Sequence, residues 1–243
     1  MIDWRDDAIL LSARRHGETA LILTVLTRDR GRHAGLVRGG QSRKLKGALQ
    51  PGNRIEVHWR ARLEEHLGTM TVEPVRGYAA ALMGDPGRLM AMGAALALVE
   101  AALPEREPHP DLFESLDALM IALDDDGWAE TYARWEVGLL AELGFGLDLG
   151  ACAATGVTED LRYVSPRTGR AVSGEAGRPY HERLLPLPSF LTTRGNAGPN
   201  ALVDALRMTG HFLNRNVFDL LGRPVPDSRS RLVSRFESRI ELD

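Results

Sequence analysis

Over the first eighty residues the apolar positions come in short runs separated by glycine. Ala8–Arg14, Ala20–Thr27, His33–Val37, Arg54–Ala61 and Leu67–Val75 carry β-branched or alternating apolar residues. Between them fall Gly17, Gly31, Gly39 and Gly40, Gly47, Pro51 and Gly52, and Gly68, the punctuation expected of strands joined by turns. Arg54, Glu56, His58 and Arg60 alternate with Ile55, Val57, Trp59 and Ala61, which is the period-two signature of a strand with one wet and one buried face. Five such strands without a long crossover helix predict a small antiparallel barrel. An SH3-like barrel fits the same pattern.

The period changes at about residue 85. Leu89, Met92, Ala95, Leu96, Val99 and Leu103 recur at helical spacing between Pro86 and Pro104, since proline tolerates the first helical turn and ends a helix elsewhere. Further helices are predicted over Leu112–Leu123 and Trp128–Leu143, short and closely spaced as in a bundle. Residues 145–190 are rich in glycine and proline, so irregular backbone is expected there, with one hairpin around Tyr163–Val172. A last helix is predicted from about Asn200 to Leu221, with Leu202, Leu206, Met208, Phe212, Leu213, Val217 and Leu220 as its buried stripe. The tail after Gly222 is polar and carries Arg223, Arg229, Arg231 and Arg235. The expected class is α+β: a barrel over 1–80 and a helical part over 81–243, with 145–190 as an irregular insertion.

Composition adds limits. Apolar residues at 44% and charged residues at 26% are those of ordinary globular chains. No run reaches the roughly 20 apolar residues that cross a bilayer, and the acidic start MIDWRDD does not read as a secretory signal, so a cytoplasmic protein is expected. The single cysteine, Cys152, excludes an intramolecular disulfide and a four-sulfur zinc site.

The net charge of −3 conceals a division. Residues 1–80 hold 14 Lys/Arg against 9 Asp/Glu (+5), residues 81–150 hold 3 against 14 (−11), and residues 151–243 hold 13 against 10 (+3). The most suggestive basic stretch is Gly35 to Gly47, where Arg38, Arg43, Lys44 and Lys46 fall within nine residues beside Gly39, Gly40 and Ser42. Such a loop can bring its backbone and several cations to a phosphate chain without reading bases; equally, it can be a solvated loop. It does not fit a nucleotide-binding P-loop. Trp4, Trp59 and Tyr78 are the candidate base-stacking rings, but Trp59 alternates on the side assigned to the core, so the expected surface is electrostatic more than aromatic.

Catalytic signals are weak. His16, His33, His58 and His66 read as residues of a charged barrel face. Cys152 and His181 could in principle form a nucleophile and base pair, but nothing local activates the thiol or orients the imidazole, and a buried or idle cysteine is the stronger reading. Asp124, Asp125 and Asp126 sit in a turn where three consecutive carboxylates diverge, an acidic solvated turn or docking patch rather than a metal site. The acidic middle segment would repel DNA: either it faces protein partners while the barrel and the C-terminal arginines carry the strand, or helical surfaces simply alternate their charges unevenly. A protein-only scaffold binding acidic segments, and a cysteine hydrolase, stand as the competing classes.

Taken together, Trp4, Asp6 and the run Ala8 to Ser12, then Gly17-Glu18, Thr27 with Gly31, Val37 to Gly40, and Leu49 to Gly52 resemble the opening of the bacterial RecO recombination and repair family. The likeness continues through Gly144 to Leu149, Cys152 with Thr155-Gly156, Leu161 to Pro166 with Gly169, Leu184 to Pro188, Gly222-Arg223 and Ser230-Arg231. The resemblance implies an oligonucleotide-binding (OB) barrel, a helical domain and an inserted zinc knuckle. Many relatives have four cysteines in that knuckle; here the matching positions are Cys152, Thr155, Ser173 and Ala176, so the knuckle is expected as a remnant without metal. It further implies a non-enzymatic mediator that needs no cofactor, binds single- and double-stranded DNA, and anneals strands. The implied partners are the RecR protein, the acidic C-terminal tail of single-strand-binding protein and, indirectly, the RecA recombinase, in a cytoplasmic, nucleoid-associated setting. The expected DNA contacts are Arg38, Arg43, Lys44 and Lys46, extended over the same surface by Arg14, Arg15, Arg28, Arg30 and Arg32.

Overall fold

The computed structural model describes residues 1–193 and 198–240; the side chains of Lys44 and Pro199 lie outside that description. The chain forms two compact units, Met1–Asp125 and Asp126–Asp243.

The first unit is built on five strands: β1 (Ile2–His16), β2 (Ala20–Thr27), β3 (Gly31–Val37), β4 (Arg54–Ala61) and β5 (Thr69–Arg76). They close into a barrel in the order β1-β2-β3-β5-β4, with β4 returning to β1. The closure departs from the expected all-antiparallel sheet. β3 meets β5 in parallel, at the single register position Leu36 opposite Thr69, because the chain between β3 and β4 crosses the barrel end instead of turning back as a hairpin.

The alternation read in β4 holds: Ile55, Val57 and Trp59 join Ala8, Leu10, Leu23, Val25, Val37 and Met70 inside the barrel. Ala8 to Leu11 is apolar without alternation, and all four residues are buried. A bulge between Leu10 and Ser12 and the packing of a helix on β1 explain this, since both faces of that stretch are covered. Trp59 is tied in place by its indole N–H, which donates to the carbonyls of Ala34 and Leu67, each at 3.1 Å. Gly35 and Gly68 make room for that ring. A Cβ at Gly68, where φ is +68°, would lie 2.6 Å from Trp59 Cε2, and one at Gly35 would lie 2.9 Å from Met70.

The basic stretch is not an open loop throughout. Arg43–Lys46 form a one-turn helix, α1, whose single apolar residue, Leu45, packs against the barrel core. Burial of Leu45 fixes the turn and leaves Arg43 and Lys46, three residues apart, on its exposed side. Two longer helices, α2 (Pro86–Ala102) and α3 (Pro110–Ala122), complete the unit. Asp85 caps α2 through its carboxylate, which accepts from the Gly87 N–H at 2.7 Å and from the Arg88 N–H at 3.3 Å.

The second unit contains α4 (Trp128–Glu142), β6 (Leu161–Val164), β7 (Ala171–Ser173), the one-turn α5 (Gly174–Gly177), β8 (Leu185–Pro186), α6 (Pro199–Phe212) and α7 (Asp227–Ile240). The expected hairpin is present as β6 and β7, and β8 extends it to a sheet ordered β7-β6-β8. Two expectations are corrected. The last predicted helix ends as α6 and passes into a wider π turn over Leu213–Phe218, which leaves Leu220 of the predicted stripe 73% exposed. The polar tail is a helix: Arg229, Leu232 and Phe236, at i, i+3 and i+7, form a narrow buried stripe within an otherwise polar segment.

Candidate nucleic-acid interface

Strand register sorts the candidate cations. In the β1–β2 pair Arg14 lies opposite Ile22 and Arg15 opposite Leu21, and in the β2–β3 pair Leu21 lies opposite Val37. Arg14, Arg15 and Arg38 therefore gather at the start of β2, the end that α1 and its Leu45 close. At the other end of β2 Thr27 pairs with both Ala8 and Gly31, and the turn holding Arg28 and Arg30 lies roughly 24 Å away, the length of an eight-residue strand. The eight candidate cations whose side chains are described do not form one surface; the Lys44 side chain lies outside the description. Arg28, Arg30 and Arg32 belong to the far end.

Pairing divides them the same way. Arg28 is 2.5 Å from the Glu114 carboxylate, and Arg32 is 3.5 Å from Glu105 while its Nε donates to the Leu103 carbonyl at 3.0 Å. Arg30 lies over the Trp4 ring, 5.7 Å from its centroid. In contrast, Arg14, Arg15, Arg38, Arg43 and Lys46 are exposed and have no carboxylate partner among the described residues. Across 14–19 and 38–52 the sole acidic residue is Glu18. Unpaired cations project a field that paired ones cancel, so the positive potential of this unit is concentrated at the α1 end.

The acidic middle segment accounts for this division. Several of its carboxylates turn toward the barrel: Glu105 and Glu114 take Arg32 and Arg28, Glu100 accepts from the Ser12 hydroxyl at 2.9 Å, and Asp117 accepts from Arg54 at 2.9 Å. Asp124 is paired with Arg88 at 3.4 Å. The expectation that this segment faces partners is thus corrected for these residues.

The aromatic candidates are core. Trp4 stacks on Trp59 with ring centroids 5.4 Å apart, and Tyr78 is buried. His33 departs from the expected surface position: it is buried edge-on to both tryptophans, at 4.9 and 5.8 Å. Burial holds its imidazole below the usual value, against the Gly31 backbone, which acts in the opposite sense. His58 pairs with Asp3, while His16 and His66 are exposed as expected. Of the glycines read as clearance for a ligand, Gly35 and Gly40 instead clear Met70 and Leu21, whereas Gly39 (φ +64°) and Gly47 face open space.

In the second unit the Cys152 sulfur accepts from the Ser173 N–H at 3.3 Å. Burial acts to raise this thiol, but hydrogen bonds from Ser173 and Thr155 outweigh it and bring it down to about 6. Cys152, Thr155 and Ser173 are thereby brought together, and Ala176 follows within α5. One sulfur, two hydroxyls and a methyl group do not fit zinc. No group of three or more His, Cys, Asp or Glu side chains suited to a metal occurs among the described residues. His181 takes the Arg178 carbonyl as partner at 3.1 Å, so the thiol and the imidazole are engaged separately.

Two networks were not anticipated. Arg54 bridges Asp7 (2.6 Å) and Asp117 (2.9 Å), with the Tyr78 hydroxyl donating to Asp117 at 2.7 Å. Glu136, on α4, receives both arms of Arg229 at 2.8 Å. Lone charged residues at otherwise apolar helix positions were the available signal for both.

Residues 1–78 match the family model described as Recombination protein O N terminal, and residues 83–223 the one described as Recombination protein O C terminal. The chain is similar to the DNA repair protein RecO of Rhodospirillum centenum, 57% identical over 97% of this chain and 95% of that one. It is likewise similar to the DNA repair protein RecO of Paracoccus denitrificans (51% identical; 96% of each) and of Ruegeria sp. (49%; 98% of this chain and 100% of that one). No helix among the described residues is long and apolar enough to cross a membrane.

Proposed function

The chain belongs to the RecO family, and on that premise we propose that it is a non-enzymatic DNA-repair mediator whose barrel, an OB fold, grips DNA by its phosphates. The observation that carries this reading is the set of exposed, unpaired cations at the α1 end: Arg14, Arg15, Arg38, Arg43 and Lys46. Neutralised phosphates let two strands approach at lower electrostatic cost, so annealing of single strands and binding of duplex follow without any bond being made or broken.

In this reading residues 1–80 hold DNA, and residues 81–243 receive the RecR protein and the acidic tail of single-strand-binding protein. The whole helps load RecA recombinase on coated strands at the nucleoid, in the cytoplasm. The cluster at Cys152, Thr155, Ser173 and Ala176 is the remnant of a zinc knuckle, held by hydrogen bonds in place of metal.

The test is a salt titration of single-stranded DNA binding. Replacing Arg43, Lys44 and Lys46 by glutamine is expected to weaken binding and reduce the slope of log K against log salt by about 2. Replacing Arg28 and Arg32, already paired with carboxylates, leaves the slope near its original value. A folded triple variant with unchanged affinity and slope overturns the reading. A native protein with no salt-steep DNA binding points to a protein-only scaffold.

A further inference from the structure

We propose that the seam between β3 and β5 seats unstacked bases of the single strand whose phosphates the α1 end holds; the proposal rests on the DNA-binding reading above. β3 and β5 are joined only at Leu36 and Thr69, where the Leu36 N–H donates to the Gly68 carbonyl at 3.1 Å. Past that point β5 runs on while the chain after β3 turns into α1, and a groove of about 390 Å³ opens between them. That volume lies in the range of small-ligand sites, roughly 300–1,000 Å³.

Leu36, Val37, Leu45, Met70 and Val72 are its apolar lining residues, Val37 and Met70 forming a buried floor and Leu36, Leu45 and Val72 keeping part of their exposure, with Arg38, Thr69 and Thr71 completing the lining. A nucleobase has the matching chemistry, with apolar faces and polar edges. Leu45 contributes to the groove while Arg43 and Lys46, on the same helical turn, remain exposed, so base seat and phosphate contacts are fixed by one element. Because Trp4, Trp59 and Tyr78 are buried, the barrel offers no tryptophan or tyrosine ring as a stacking platform, and the groove takes that role. The unpaired cations around it favour an anionic chain as occupant.

The experiment compares an oligothymidylate with an abasic deoxyribose-phosphate chain of equal length across salt. The native protein is expected to bind the oligothymidylate about tenfold more tightly at equal salt slope. Val72→Trp, which fills the groove, is expected to bring the two within about twofold while retaining abasic affinity. Ultraviolet crosslinking of 5-iododeoxyuridine to the native protein is expected at residues 36–38 or 69–72, and decides the matter alone if Val72→Trp does not fold. Equal, salt-steep binding of both chains overturns the base seat and leaves the phosphate grip intact, whereas no salt-steep binding of either removes the grip itself. Crosslinks confined elsewhere overturn the seat. So does saturable binding of an acidic peptide that Val72→Trp abolishes, because the groove then belongs to protein.

Discussion

Arg54 and Asp117 meet at 2.9 Å, and through this contact the first residue of β4 is tied to α3. Asp117 also accepts from the Tyr78 hydroxyl, and burial first, then Asp117, pushes that phenol up to about 12, so it stays a donor across the working pH range. Asp117→Ala leaves the buried Tyr78 hydroxyl without its acceptor and Arg54 with Asp7 as its one remaining carboxylate partner. The expected loss is about 2 kcal/mol, below that of a fully buried pair because the Arg54 side chain keeps 24% of its exposure. Urea denaturation of Asp117→Ala and Asp117→Asn measures it, and the asparagine variant, which can still accept from Tyr78, is expected to lose less.

What could be read in advance follows from the range of each interaction. The alternation Ile55, Val57, Trp59 was legible because it depends on neighbours two residues away, and the helices α2 to α4 were legible because theirs depends on neighbours three and four away. Charge was countable by segment, but pairing was not: nothing near Arg28 announces Glu114, or near Arg32 announces Glu105. The cations therefore seemed one surface when the fold makes them two. His33 was misread because its burial comes from Trp4 and Trp59 on other strands. Helix α7 had a legible stripe in Arg229, Leu232 and Phe236, masked by the polarity of the residues between.

Trp59 gives a second test. Gly68→Ala combines a positive φ with a Cβ 2.6 Å from the indole, and strain together with overpacking is expected to cost about 2–4 kcal/mol. Gly47→Ala, at φ −75° with open space around it, is expected to be neutral or stabilising by up to about 1 kcal/mol. Thermal melting followed by tryptophan fluorescence distinguishes them, and equal effects would contradict the packing of Gly68 on Trp59.

His33 makes barrel stability depend on pH. Its folded imidazole is held below the usual value by burial, so between the folded and unfolded values the unfolded chain binds more protons. Stability is then complete above the unfolded value of about 6.5 and declines as pH falls through the window below it. His33→Phe, which cannot be protonated, is expected to flatten this part of the stability profile in chemical denaturation between pH 7 and 5. An unchanged slope in the variant would assign the acid sensitivity to other groups.

Helix α7 is held by a buried ion pair. The Arg229 guanidinium donates twice to Glu136 at 2.8 Å and once to the Leu206 carbonyl at 2.6 Å, and Tyr132 and Thr209 hydroxyls donate to the same carboxylate. Arg229→Met leaves that carboxylate in the core without its cation, and the expected cost near neutral pH is about 3–5 kcal/mol. Glu136→Leu combined with Arg229→Met removes the stranded carboxylate as well and should lose less than Arg229→Met alone. Urea denaturation of the two variants at neutral pH checks the order. If Arg229→Met stays within about 1 kcal/mol of the native protein, Leu232 and Phe236 suffice to dock α7 and the ion pair contributes little.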